Sequence, residues 1–129
     1  MANGMSDYLE NAILNLTLKG TAFTAPSALY LALFTTDPTD AKTGTEVSGG
    51  AYARQVVTFN TATTGSTVNS ADVLFPVATA SWGTITHFAI FDAATVGNML
   101  YSGAMTNTKT IAANDQLKVA AGDITVSLD

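Results

Sequence analysis

The side chains in this sequence best suited to chemistry sit together. Residues 80–93, ASWGTITHFAIFDA, contain the chain's only tryptophan, Trp82, and its only histidine, His87, and reach a carboxylate at Asp92. A histidine and an aspartate in one short run suggest an acid-base pair. The run alternates as a β-strand, however, and two positions separated by five residues lie on opposite faces of a regular strand. His87 and Asp92 are therefore not expected to meet. The same alternation puts His87 on a face with Ile85, Ala89 and Phe91, as a core or interface histidine with one satisfied hydrogen bond. Trp82, beside Gly83 at the strand entry, reads as a packing anchor.

Little other catalytic material remains. The chain has no cysteine and one histidine, so neither a Cys-His nor an ordinary Ser-His arrangement can be assembled from several candidates. Glycoside hydrolysis needs two positioned carboxylates; Asp72 and Asp92 are available, but nothing in the sequence brings them together. Asp37, Asp40 and Glu46 cluster around a polar loop without the ordered spacing of a calcium loop, and read as turn residues. Gly49-Gly50 lacks the Lys-Ser/Thr of a phosphate-binding loop. Arg54 is the single arginine, on the same strand face as Tyr52, and Glu46 across the loop is its expected partner. These residues point to a protein that is not an enzyme, with no cofactor and no metal.

Composition agrees. The chain has 129 residues, 47% hydrophobic and 12% charged, enough for one domain with its own core and too apolar for disorder. A net charge of -5 with scattered basic residues argues against nucleic-acid binding. No apolar run is long enough for a membrane span, and residues 1–4 lack the pattern of a signal peptide, so synthesis in a cytoplasm is expected.

The elements that must position these residues are mostly strands. One helix is expected over residues 6–18, with Ser6 as N-cap, Asp7 and Glu10 in the first turn, Leu9, Ile13 and Leu16 at helical spacing, and Lys19-Gly20 as the stop. Strands are expected at residues 28–36, 52–59, 73–77, 84–92, 99–101, 116–119 and 124–128, with the longest polar loop at 41–50 and another polar stretch at 60–70. This pattern predicts a mainly β fold, a β-sandwich or jelly-roll-like domain over 28–128, preceded by the helix and a short N-terminal arm at residues 1–5.

Four segments in order, MSDYLEN (5–11), LYLALFTTDPTD (29–40), GTEVSGGAYAR (44–54) and ASWGTITHFAIFDA (80–93), resemble a family of small bacteriophage virion proteins. Its members are often labelled tail fibre proteins, and relatives act as capsid decoration or cement proteins. The chain departs from the family at Tyr101-Ser102-Gly103, where members often carry Trp-Gly. The resemblance implies a non-enzymatic virion protein, a homotrimer by analogy. Because no shaft repeat is present, the expected role is a decoration protein on the outside of the head, bound to the major capsid protein or other virion proteins. The alternative is a tail fibre or receptor-binding protein facing a host-surface glycan. The contact residues expected for these roles are Met1 and Met5 in the arm, Leu9, Ile13 and Leu16 on the helix, Asp37, Asp40 and Glu46 in the loop, and the neighbouring Tyr52 and Arg54.

Overall fold

A computed structural model describes residues 3–128. It is mainly β with a single N-terminal helix. The elements are β1 (Asn3–Met5), α1 (Asp7–Lys19), β2 (Leu29–Phe34), β3 (Gln55–Val57), β4 (Ser66–Val68), β5 (Val73–Leu74), β6 (Gly83–Phe91), β7 (Met99–Ile111), β8 (Lys118–Val119) and β9 (Thr125–Ser127). Five strands form one antiparallel sheet in the order β1-β7-β6-β2-β3, and two ribbons, β4-β9 and β5-β8, make up a second, discontinuous layer. The sheet does not close into a barrel.

The main core lies between these layers. Leu31 and Leu33 of β2, Ile85, Phe88 and Ile90 of β6, and Ile111 of β7 pack with Val73 and Phe75, Leu117, Ile124 and Val126. Residues 29–34 are apolar on both pleat faces because both faces are covered. On the far face a smaller cluster joins Ala32, Phe34, Ala89, Phe91 and Met99. Asn69 fastens the ribbons together. This side chain, 1% exposed, donates from Nδ2 to the carbonyls of Ala71 and Ala120, both at 3.0 Å, and accepts from Ile124 N at 2.9 Å.

The helix forms for the expected reasons. The Ser6 hydroxyl accepts from Leu9 N at 3.2 Å, Asp7 and Glu10 face the N-terminal end of the dipole, and Gly20 terminates it at φ 70°. Ser6 also donates to the Met99 carbonyl, and its N–H reaches Leu100 O at 2.9 Å. The helix base is thereby tied to β7.

Four expectations need correction. Residues 3–5 of the expected arm form β1, paired with Gly103, Ser102 and Tyr101 of β7; Met1 lies outside the described residues. The polar stretch at 60–70 contains a strand, β4, and β7 runs on to Ile111 instead of stopping near Tyr101. The fourth correction concerns His87. Ile85 belongs to the main core with Phe88 and Ile90, whereas Ala89 and Phe91 lie on the far face. The register shifts between Ile85, opposite Lys109, and His87, opposite Ala104, so Thr86 alone stands against residues 105–108 of β7, an irregularity that takes Thr86 and His87 out of the regular alternation. Their side chains meet, Thr86 Oγ1 to His87 Nδ1 at 2.8 Å, which a regular strand forbids for adjacent residues. His87 therefore does not share a face with Ile85.

Candidate interaction surface

The polar residues singled out in the sequence gather at two places, one beside the edge strand β3 and one around His87. The first is a knot around Arg54, placed just before β3. Its guanidinium meets Glu46 in a two-pronged pair, Nε to Oε2 at 2.9 Å and Nη2 to Oε1 at 2.8 Å. The remaining fork nitrogen donates to the carbonyls of Ala93 at 3.0 Å and Val96 at 2.8 Å. The guanidinium carbon stands 3.7 Å from the centroid of Phe91, over the ring. Tyr52 completes the knot, donating its hydroxyl to Glu46 Oε2 at 2.7 Å while accepting from Leu33 N at 3.0 Å. The expected Glu46–Arg54 pair is thus formed. It anchors two loops over the far-face cluster, and its donors and acceptors are committed to that task.

Burial, and then the hydrogen bond to Glu46, pushes the Tyr52 phenol far above its ordinary value. Burial also raises Tyr101. A phenol raised in the folded state stabilises the fold fully below its unfolded pKa of about 10, and that contribution is lost as pH rises beyond it. Denaturant titrations should therefore show a steep loss of stability above about pH 10. Tyr52→Phe should flatten this alkaline limb while costing about 1–2 kcal/mol at pH 7, because Leu33 N–H loses its acceptor. Equal alkaline sensitivity in the two proteins would contradict the assignment.

The second place is a shallow bowl lined by Asp37, Thr39, Asp40 and His87 above a floor that includes Gly4, Ser102 and Gly103. Asp37 Oδ1 accepts from Thr39 N at 2.8 Å, and its Oδ2 lies 3.9 Å from His87 Nε2. Asp40 is exposed and holds the helix base through its carbonyl, which accepts from Asp7 N at 3.0 Å. His87 and Asp92 engage different partners: Asp92 accepts from the backbone and side-chain amides of Asn98 at 2.7 and 3.0 Å. Among the described residues no group of three or more His, Asp or Glu is placed to hold a metal ion, and no helix is long and apolar enough to cross a membrane.

Trp82 is the anchor expected of it. It is buried, its Nε1 donates to Gly50 O at 2.8 Å, and its ring meets Tyr52 and Phe75 edge-on. Gly50 must be glycine: at φ 59° an added Cβ would lie 2.9 Å from both Ala80 O and Trp82 Nε1.

The apolar contact residues behave differently. Met5 is half-buried in β1, Leu9 is buried at the helix base and Ile13 is half-buried, but Leu16 is 40% exposed. Sequence reasoning overlooked the opposite side of the helix, where Leu14 and Leu18 stand 54% and 77% exposed. Spacing alone could have found them, because they recur at i and i+4. A helix apolar on two sides belongs between two packed surfaces, and here its own fold supplies one, at its first turns.

The polar groups of the β body described above are engaged in internal contacts, while α1 exposes Leu14, Leu16 and Leu18. The chain belongs to the Gp80 family, podophage GP4 fiber I protein gp80, whose model matches residues 4–127. It is a phage fibre-type virion protein. No curated protein matches it.

Proposed function

We propose that the chain is a non-enzymatic structural module of a phage fibre, held in the particle through α1 and its surroundings. The observation that carries this reading is the helix, firmly capped and tied to β7 at its base, yet exposing Leu14, Leu16 and Leu18. Leucines kept in water contribute nothing to the fold, whereas their burial against other virion subunits would favour attachment. The fibre name of the family favours the tail over decoration of the head, the role that small size and the missing shaft repeat first suggested. The chain is then a compact unit at a fibre end or junction, assembled as several copies. The partner surface is a virion protein, not the major capsid protein expected for a head location.

Immunogold labelling of purified virions with antibodies to this chain tests the location. Gold confined to tail appendages is expected. Labelling spread over the head surface would overturn the fibre assignment in favour of decoration.

A further inference from the structure

A second apolar feature lies near the helix base. At one end of the core the sheet and the β4-β9 ribbon part to leave a groove of about 200 Å³, lined by Leu29, Phe59, Ile90, Leu100, Tyr101 and Val126. No residue of α1 lines it. Among the elements of its own fold the helix packs chiefly against β1 and β7, and its outer leucines point into solvent.

We propose that this groove receives the Leu14–Leu18 side of α1 from a second copy of the same chain. The inference rests on the several-copy assembly proposed above and says how the copies engage. Two observations and one argument of size point to a second copy as the occupant. Residues 11–18 of the helix carry no charged side chain, and neither does the groove lining, so the two surfaces match in polarity and neither leaves a charge unpaired on burial. The groove also starts where the helix starts, since Leu100, one of its walls, accepts the Ser6 N–H at the helix base. Two copies facing one another can then exchange helices over a short distance, each giving one and receiving one. Finally, a stable pair buries about 800 Å² a side, more than two leucines supply. Reciprocal exchange doubles the contact and fills both grooves, and a head-to-tail ring does the same for each copy in turn.

The absence of cysteine makes the test clean. Sedimentation of the full chain should show an oligomer, and Leu14→Ser with Leu18→Ser should convert it to a folded monomer, with an unchanged circular dichroism spectrum because both leucines are exposed. Asn15→Cys and Asn60→Cys, made singly and mixed, place one thiol on the helix and one beside the groove at Phe59. A short bis-maleimide should join them between copies in the mixture, and should not do so once the two serines are added to the Asn15→Cys chain. A monomeric parent chain would overturn the self-association itself. An oligomer whose mass is unmoved by the two serines, or which gives no mixed cross-link, would overturn the helix-to-groove contact while leaving self-association standing.

Discussion

Replacing Arg54 with methionine is expected to destabilise the protein by about 3 kcal/mol, the lower end of the cost of breaking a buried ion pair. The lower end applies because the Glu46 side chain keeps 24% of its surface, whereas that of Arg54 keeps 8%. Methionine preserves much of the aliphatic stem but leaves the Glu46 carboxylate with Tyr52 as its remaining side-chain donor. The carbonyls of Ala93 and Val96 lose the same fork nitrogen, and Phe91 loses its cover. A domain of this size has roughly 5–15 kcal/mol in total, so the melting temperature should fall by about 10 °C. Removing both charges, with Glu46→Leu added, should recover part of the loss, because an unpaired buried charge costs more than an absent pair. Urea titration of the three variants checks both points; a loss under about 1 kcal/mol for Arg54→Met would show that the knot is an ordinary surface pair.

Trp82→Ala should cost about 3–5 kcal/mol, as expected for deleting a buried indole. The ring bridges Tyr52 and Phe75 and sits over Gly50, so a cavity would open under the loop that carries Tyr52 and Arg54. Trp82→Phe should be much milder. It loses the Nε1 hydrogen bond, but Gly50 O still accepts from Thr79 N at 3.0 Å, so no buried carbonyl is orphaned. Thermal melts of the two variants distinguish a packing anchor from a hydrogen-bond anchor. Equal losses would point to the hydrogen bond and contradict the packing argument.

What the sequence made legible was whatever is written in local periodicity or a cap. The helix was readable from Ser6, Leu9 and Gly20, and the central strands from the apolar runs at 29–34 and 83–91. Residues 3–5 were not, because Asn-Gly-Met carries no strand signature and is a strand through backbone pairing to β7. The far half of β7, residues 106–110, is polar and exposed, and its end is held as strand by pairing of Lys109 and Thr110 with Ile85 and Thr84 of β6. The bulge at Thr86 and His87 was invisible for a related reason. Which face a residue takes after a register shift depends on the partner strand, not on its own alternation. Among the site residues, the Glu46–Arg54 pair could be expected across one loop. The placement of the guanidinium over Phe91 could not, since it requires β3 and β6 to lie on either side of β2.

The helix shows the same division. Its existence was a local matter, but which of its two apolar stripes faces home depends on the tie of Ser6 to β7. The stripe at Leu9, Ile13 and Leu16 turns only partly inward, and the Leu14–Leu18 stripe is left exposed.

The central claim is that this chain is a structural part of a phage fibre. It is tested most directly by reconstruction of the intact virion at a resolution that resolves strands. The account predicts density for the five-stranded sheet and its helix within a tail appendage, with α1 buried between subunits. The same fold found as regular protrusions on the head shell, or in the tail with α1 facing solvent, would contradict it.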